Sequence, residues 1–474
     1  MSELQALLSE VENSLTYTDG VIQVSDEAVF RSTVHKLAEA SALGSGERAG
    51  TARYLVRAAA LALGVFPASI QDVYMARGRG EAPTNFTVPA MNLRALSFEA
   101  ARAVFRAAGS MQAGALLFEI ARSEIGYTDQ RPSEYTTNML AAAIAEGYRG
   151  PVFIQGDHFQ VSAKRYANDP DGELQAVKDL TKEAIEAGFY NIDVDTSTLV
   201  DLSQATIPEQ QALNARLSAE MTVYIRDLEP EGVTVSVGGE IGEVGGKNSP
   251  EEELRAYVDG YNAELAKLAP GAEGLSKISI QTGTSHGGVV LPDGSIADVS
   301  VDFDTLLRLS QVSRKEYGMA GAVQHGASTL PQEAFGKFVE SEACEVHLAT
   351  NFQNILYDQL PGELRTEIYA YLDANHSDER KPDMTDEQFY YKTRKRGIGK
   401  FKAEMWAMDA AAKQAISQAW EAQFKQLFTL LGIAGTKDLV DKHTTTAKIM
   451  PSLAMYTAAA GETAAEEDTR DLAD

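Results

Sequence analysis

The central part of the chain alternates short apolar, β-branched runs with longer amphipathic stretches. Helical spacing is clear in the stretches at residues 98–108, 174–187, 251–268 and 303–316. Strands that alternate with helices form parallel sheets, because each helix returns the chain to the end of the sheet where the next strand begins. Eight such units favour a closed (β/α)8 TIM barrel over an open doubly wound sheet. The eight runs are residues 86–91, 115–120, 152–155, 190–194, 234–239, 277–281, 321–324 and 344–348.

The chain has 474 residues, which exceeds the roughly 250 of a plain barrel, so we expect additions at both ends. Helical patterns occur before the first strand, as in the Ala-rich stretch 52–63, and again after the last strand, at 362–372, 386–412 and 414–431. The predicted domains are a helical N-terminal extension (1–80), the barrel (81–355), a helical C-terminal extension (356–457) and a disordered acidic tail (458–474).

Composition excludes several classes of function. Asp and Glu total 68 against 42 Lys and Arg, which gives a formal charge of −26 and repels nucleic acids and acidic membranes. No run approaches the roughly 20 apolar residues of a membrane span. The first residues are acidic where a secretion signal would be basic, so we expect a cytoplasmic protein. Cys344 is the single cysteine, and no intrachain disulfide can form.

Histidines and a carboxylate follow several of the predicted strands. Asp157-His158, Glu240, His286 and His325 each lie one to six residues past an apolar run. The carboxyl ends of barrel strands meet at one rim, so these side chains are expected to converge. Three imidazoles and one carboxylate suit a divalent metal and favour zinc. The alternative for each histidine is a hydrogen-bonded core or loop residue.

The same residues belong to a series of short motifs, found in order along residues 85–355. They are Val88-Pro89-Ala90-Met91-Asn92, Gly156-Asp157-His158, Ile192-Asp193, Gly239-Glu240-Ile241-Gly242 with Gly245-Gly246, Thr284-Ser285-His286-Gly287, and His325-Gly326-Ala327-Ser328. In this order the motifs resemble those of the class II, metal-dependent fructose-bisphosphate and tagatose-bisphosphate aldolases. The resemblance is more specific to the superfamily than to one substrate.

The resemblance implies a role for each motif residue. Zn²⁺, or another divalent metal, would be held by His158, His286 and His325, with Glu240 as a further or alternative ligand. Asp157 matches the family's catalytic aspartate and would exchange a proton with the substrate hydroxyl. Asp193 would orient a ligand histidine or the substrate, and its alternative is to cap the following helix.

The substrate's phosphate is expected on the loops after strands seven and eight, where barrels commonly hold one. The expected substrate-binding residues are Asn92, Gly287, Gly326, Ala327, Ser328, Thr350 and Asn351, with Arg394 and Arg396 as basic residues that an oligomer partner could donate. Gly287 could also approach a monovalent cation. The alternative for the basic cluster is a solvated helix face.

The chain departs from the family at three places. Lys247-Asn248 stand where the family has acidic residues on a mobile loop, which leaves Glu243, Glu251 and Glu252 as candidates for the general base. The Tyr-Lys pair after the third ligand is missing. On the eighth strand, the usual Asn and Asp are replaced by His347 and Ala349. Arg122 or Ser123 could supply different substrate contacts.

Three functions remain open. The first is an aldolase that reversibly cleaves a ketose 1,6-bisphosphate, with fructose 1,6-bisphosphate as the first choice, into dihydroxyacetone phosphate and glyceraldehyde 3-phosphate. The second is a non-catalytic partner subunit of a tagatose-bisphosphate aldolase, a branch that residues 119–128 resemble. The third is an enzyme for another ketose phosphate or a related acyclic sugar acid. In each case we expect a homodimer or homotetramer.

Overall fold

A computed structural model describes residues 2–242, 247–283, 291, 301–458 and 469–473. Eight parallel strands close into a barrel, in which each strand pairs with the next in sequence and the last pairs with the first. The predicted TIM barrel is therefore confirmed. Its strands are β4 Val88–Asn92, β5 Leu117–Ala121, β6 Gly150–Gln160, β7 Asn191–Asp195, β8 Ser236–Glu240, β9 Lys277–Ile280, β10 Ala322–Gln324 and β11 Glu345–Leu348, preceded in the chain by β1 Leu15–Thr18, β2 Val21–Val24 and β3 Val65–Ala68.

All eight predicted runs coincide with barrel strands, and the largest difference in extent is in β6. The apolar run stops at Gln155, but the strand continues to Gln160 because its backbone still pairs with β7 beyond a bulge. At its other end β6 pairs with β3, a strand outside the ring. The apolar pattern alone therefore finds the strand and misses the extension that carries Asp157 and His158.

The N-terminal segment is less uniformly helical than predicted. Its helices are α1 Glu3–Glu10, α2 Glu27–Thr33, α3 His35–Leu43, α4 Gly46–Ala62 and α5 Gln71–Gly78. The strands β1 and β2 form an antiparallel hairpin between α1 and α2. Asp19 and Gly20 both have positive φ at its turn, which is the geometry that matches the twist of a two-residue hairpin. The hydroxyl of Tyr74, on α5, donates a hydrogen bond to Glu345 at the start of β11, so this segment closes the lower end of the barrel.

The barrel is surrounded by amphipathic helices whose apolar faces pack against the strands. Val104 and Phe105 of one such helix are buried, and Phe105 packs against Phe118 of β5. The helices that follow the barrel strands are α6 Ser97–Met111, α7 Arg122–Tyr127, α8 Pro132–Ala145, α9 Ala163–Asn168, α10 Pro170–Ala187, α11 Ile207–Leu228, α12 Glu251–Leu268, α13 Phe303–Tyr317, α14 Gly336–Glu340 and α15 Thr350–Gln359.

The segment after the barrel is helical, as predicted, although the stretch 386–412 is not one helix. A 3₁₀ turn at Arg394–Arg396 and two short helices interrupt it. Gly399, inside the second of these short elements, lets the backbone approach the end of α7, since a Cβ there would lie 2.7 Å from the carbonyl oxygen of Tyr127. The helices are α16 Gly362–Asn375, α17 Asp386–Thr393, α18 Gly397–Lys400, α19 Lys402–Trp406, α20 Ala410–Leu430, α21 Lys437–His443 and α22 Leu453–Ala458.

Two further findings concern the ends of the molecule and its surface. Of the tail that we expected to be disordered, 459–468 fall outside the described residues, whereas 469–473 lie against the barrel rim. Among the described helices, none combines the length and apolarity that crossing a membrane would require.

Candidate metal centre and active site

Five buried polar residues converge at the carboxyl ends of four barrel strands. Asp157, His158 and His325 each offer one ligand atom, and these atoms lie within 4.8 Å of one another. His158, Asp195 and Glu240 form a second such group. All five residues are at most 4% exposed. The structure thus brings together three of the four predicted metal ligands. The fourth, His286, lies outside the described residues, as does Gly287.

The backbone of β6 explains how adjacent residues can both reach this site. The register with β7 shifts between Gly156 and Phe159, and His158 has a φ of +39°. Bulges re-aim side chains in this way, and a non-glycine residue at positive φ stores strain. Gly156 is required here, because a Cβ would lie 2.5 Å from the Phe159 ring. Asp157 and His158 therefore both contact the candidate centre instead of pointing to opposite faces of the strand.

His158 is held by carboxylates on one side of its ring. Its Nδ1 lies 2.9 Å from Oδ2 of Asp195 and 3.2 Å from Oε2 of Glu240. Asp195 also accepts hydrogen bonds from the backbone N–H of Ser197 at 3.0 Å and from the Ser197 hydroxyl at 2.6 Å. Burial would raise the pKa of Asp195, but its hydrogen bonds to His158 and Ser197 lower it. A histidine anchored through Nδ1 presents Nε2 to a metal, which is the usual arrangement for such ligands.

Sequence reasoning missed Asp195 and chose Asp193 to orient a histidine. The structure places Asp193 against Lys277, at 2.9 Å, and 3.7 Å from Nε2 of His347. Burial raises the pKa of Asp193 to about 6. The carboxylate on His158 is that of Asp195, two residues further along the same strand. The sequence did contain a signal for Asp195. Side chains two residues apart on a strand share one face, so Asp195 lies on the same face as Asp193.

Asp157 is fixed by groups from both sides. The Asn92 amide donates to Asp157 Oδ2 at 3.0 Å and to Glu124 at 2.8 Å, and Nδ1 of His347 lies 3.1 Å from Oδ1 of Asp157. Burial alone would raise the pKa of Asp157, but the nearby His158 and His347 hold it well below its usual range. Asp157 is therefore an ionised carboxylate in a fixed orientation. Asn92, predicted to contact substrate, is a partner of this carboxylate.

His325 completes a row of three imidazoles. Its ring centroid lies 4.4 Å from that of His158 and 4.0 Å from that of His347. Its Nε2 lies 3.0 Å from the Ser279 hydroxyl on the neighbouring strand β9. This row of three mutually tilted imidazoles among carboxylates places nitrogen and oxygen donors around one small volume.

A second buried polar layer lies below this row and was also missed. Lys277 donates hydrogen bonds to Glu345 and, at 2.8 Å, to Gln155. Burial opposes the charge on Lys277, but Asp193 and Glu345 raise its pKa, and the Glu345 pKa falls to about 2 because Lys277 outweighs burial. His347 joins the two layers, since its Nε2 lies 2.6 Å from Glu345.

The two layers differ in their fit to a metal ion. The group of Glu119, Glu345 and His347 has the right atoms, yet Lys277 already supplies a cation to Glu345. In the upper group, two imidazoles and the ionised Asp157 face one another, and Asp195 orients one imidazole. Two nitrogens and one oxygen, with Glu240 nearby, are the donors that a borderline divalent metal prefers. The residues present therefore fit such a metal in the upper layer.

The loops predicted to hold phosphate are in contact with each other. The Ser328 hydroxyl accepts a hydrogen bond of 2.7 Å from the backbone N–H of Ala349, the residue before α15. Gly326 has a φ of +68°, and the neighbouring Ala327 is buried. Thr350 and Asn351 form the first turn of α15, whose N–H groups provide the positive end of a helix dipole.

The basic residues have protein partners. Arg394 donates to Asn354 of α15 and lies over the rings of Tyr357 and Tyr391. Arg396 faces Glu379 and donates to Thr469 at 3.2 Å. Arg394 thus lies beside α15, the helix that follows β11. The alternative that it belongs to a solvated helix face is therefore wrong for Arg394. Arg122, the proposed substitute substrate contact, pairs with Glu173 in a buried bridge of 2.7 Å.

The sequence offered three candidates for the general base, Glu243, Glu251 and Glu252. Glu243 lies outside the described residues. Glu251 is in the first turn of α12 and pairs with Arg255 at 2.9 Å and with Arg308 at 3.2 Å. Glu252, in the same turn, is exposed. The contacts of Glu251 are those of a helix-terminal surface acid.

Comparison with solved structures finds the same fold in distant proteins. A probable tagatose 6 phosphate kinase from Sinorhizobium meliloti 1021 matches with a TM-score of 0.51 at 17% identity, over 79% of this chain and 97% of that one. A fructuronate-tagaturonate epimerase from Cohnella laeviribosi matches with a TM-score of 0.51 at 12% identity, over 89% and 90% of the two chains. A fructose-bisphosphate aldolase from Campylobacter jejuni matches with a TM-score of 0.45 at 17% identity, over 78% and 97%.

At these identities the two likenesses with a TM-score of 0.51 show the fold and leave the substrate open. No curated protein matches the sequence. The family model described as fructose-bisphosphate aldolase class-II, however, matches residues 81–427, which is most of the chain and includes every barrel strand. The protein belongs to the class II fructose-bisphosphate aldolase family.

Proposed function

We propose that this protein is a metal-dependent aldolase that reversibly cleaves a ketose 1,6-bisphosphate. Fructose 1,6-bisphosphate is the first choice, which would give dihydroxyacetone phosphate and glyceraldehyde 3-phosphate. The observation that supports the proposal is the convergence of Asp157 and His158, on β6, with His325, just after β10, within 4.8 Å. Zn²⁺ is the expected metal, with His158, His286 and His325 as the proposed ligands and Glu240 as a further or alternative ligand.

The surrounding residues suit the first step of such a cleavage. When bound, the divalent metal would act as a Lewis acid toward the substrate's ketone. Asp157, ionised and held by Asn92 and His347, would accept the proton of the hydroxyl whose carbon leaves as the aldehyde. The later proton transfer to carbon needs a separate base, for which Glu243, outside the described residues, stays a candidate beside Glu251 and Glu252.

An anionic substrate needs local positive charge on a chain of net charge −26. The start of α15 supplies backbone N–H groups next to the two loops that the hydrogen bond between Ala349 and Ser328 joins. The buried Arg94 lies on the same side, where it donates to Gln353 of α15 at 3.2 Å and to Glu124 at 2.6 Å. We therefore assign one phosphate to the N-terminus of α15, with Arg94 and Arg394 contributing charge.

A coupled assay of fructose 1,6-bisphosphate cleavage tests the proposal. The purified protein would be loaded with Zn²⁺, stripped with EDTA and then reloaded. We expect turnover that EDTA abolishes and Zn²⁺ restores, because Asp157 alone cannot stabilise the charge that develops on the ketone. Bound metal without turnover on this substrate would contradict the assignment of fructose 1,6-bisphosphate.

A second candidate is an enzyme for another ketose phosphate or a sugar acid, and His347 favours it. His347 stands on β11 where the family usually has a substrate-holding side chain, and its two ring nitrogens are engaged by Asp157 and Glu345. Substrate contacts at strand eight must therefore differ from the family's. The same assay with tagatose 1,6-bisphosphate and hexuronates separates the candidates. The non-catalytic subunit is disfavoured, since burying these charges is costly without a use for them.

A further inference from the structure

The segment Thr469 to Ala473 lies on the barrel rim beside the candidate metal centre. Ala473 donates its backbone N–H to Oε1 of Gln160 at 2.9 Å and accepts a hydrogen bond of 2.7 Å from the Ser123 hydroxyl. The last residue of β6 and the first turn of α7 thereby hold one end of the segment. This contact is not explained by the aldolase proposal.

The rest of the segment is anchored by specific contacts. The Asp471 carboxylate accepts hydrogen bonds from the Ser162 hydroxyl at 2.5 Å and from Arg165 at 3.2 Å. Thr469 is 6% exposed, and its methyl group occupies space that Gly126 leaves open, since a Cβ at Gly126 would lie 2.7 Å from it. Hydrogen bonds, an ion pair and close packing in five residues indicate a built docking site.

Gln160 connects this segment to the candidate metal ligand. Its Nε2 donates to Asp195 Oδ2 at 2.6 Å, and the same carboxylate oxygen lies 2.9 Å from His158 Nδ1. The amide can have only one orientation, because its oxygen must face the Ala473 N–H and its nitrogen must face the carboxylate. A continuous chain of hydrogen bonds therefore runs from Ala473 through Gln160 and Asp195 to His158.

We propose that Gln160 and the 469–473 segment are positioning elements for His158. The inference rests on the proposed metal centre and adds a part of the chain that lies more than a hundred residues from the barrel in sequence. His158 has a strained backbone at φ +39°, a conformation that persists only when surrounding contacts hold the residue in place. Asp195 does this directly, and its own carboxylate is held by Gln160. When Ala473 leaves, Gln160 loses the partner that fixes its amide.

Metal binding measures this positioning without relying on turnover. The probe is Co²⁺, whose visible absorption reports coordination geometry, with affinity measured by chelator competition. Two variants break the chain at different points: Gln160→Ala removes the amide, and Ala473→Pro removes the N–H donor while it keeps the carbonyl that accepts from Ser123. We expect each to weaken Co²⁺ binding by about tenfold, at the lower end of the 10–100-fold range for partners of metal ligands, and to shift the spectrum.

Matched variants define the controls. Arg470→Ala changes the same segment but removes an exposed pair with Asp378, so Co²⁺ binding should not change. Asp195→Ala should weaken binding by 10–100-fold, as direct partners of metal ligands do. Because Gln160→Ala and Ala473→Pro break one chain, the double variant should lose little more than either single variant.

The outcomes are distinguishable. Affinity within twofold of the unmodified protein in both single variants, with a clear loss in Asp195→Ala, overturns the proposal. Fully additive losses in the double variant also overturn it, since the two groups would then act independently. Co²⁺ binding without sugar cleavage rejects the aldolase substrate and leaves this test intact. A protein that binds no Co²⁺ overturns both the metal centre and the positioning role.

Discussion

The upper and lower polar layers of the barrel use the same kinds of side chain in different ways. In the lower layer, Lys277 neutralises Glu345 and Asp193, and Tyr74 donates to Glu345 from below. In the upper layer, the carboxylates of Asp157, Asp195 and Glu240 surround two imidazoles. One layer thus contains its own cation, whereas the other has the donors to bind one.

The difference indicates how a barrel interior can be polar without being catalytic throughout. Buried charges are tolerated when each is paired and hydrogen-bonded. Lys277 meets this requirement with three partners, which makes the lower layer a structural support. The upper layer meets it only in part through protein groups, which is a reason to assign the metal there.

Removing the lower cation is expected to have the largest effect on stability. Lys277→Met leaves two buried carboxylates uncompensated, so we expect a loss of about 3–5 kcal/mol in the free energy of unfolding. Lys267→Met is the matched control, since Lys267 is 66% exposed and pairs with Glu264 on the helix surface. That change should cost at most about 1 kcal/mol. Urea unfolding measures both, and equal losses in the two variants would remove the distinction between the layers.

Removing an upper-layer histidine should instead act on metal binding. His325→Ala deletes a proposed ligand between His158 and His347, and we expect metal affinity to fall by more than about 100-fold, with activity lost in parallel. Stability without metal should change less than in Lys277→Met, because no buried charge is left unpaired. His35→Ala is the control, since His35 is exposed on α3. Full metal content in His325→Ala, measured by elemental analysis after dialysis, would reject the assignment.

The sequence predicted the barrel well because strands carry a repeated local signal. Apolar, β-branched runs and helical spacing located all eight barrel strands. The hairpin at β1 and β2 was missed because its strands are four residues each and mostly exposed, so the apolar alternation was weak. Element type follows from local pattern, but short exposed strands depend on the turn that joins them.

The site was predicted less completely because its partners come together only through barrel closure. Lys277 and Glu345 are the first residues of their strands. A charged residue at that position normally predicts a strand end that is exposed to solvent. Their pairing depends on β9 and β11 lying on either side of β10 in the closed barrel, so that both side chains meet in its interior. Asp195 was not selected as a site residue because the family resemblance favoured Asp193 on the same strand. The 469–473 segment was predicted to be disordered from the acidic composition of the tail. Composition cannot indicate that Thr469 packs against Gly126.

The proton competes with the metal in the upper layer, which gives a smaller and pH-dependent effect. Burial and the nearby Asp195 raise the Glu240 pKa to about 7. Below pH 7 Glu240 therefore holds a proton that a metal must displace, and affinity should fall by up to about tenfold per pH unit from this group alone. Above pH 7 Glu240 is ionised and adds no further slope.

Replacing Glu240 by glutamine separates its contribution from that of the histidines. Glu240→Gln should bind Zn²⁺ more weakly at pH 8 and show a shallower pH dependence between pH 5 and 7, because one titrating group has been removed. Glu251→Gln, which alters a surface ion pair on α12, should retain the original slope. Chelator competition across this pH range gives both curves. An unchanged slope in Glu240→Gln would show that Glu240 does not exchange its proton for the metal, leaving ligation to the histidines.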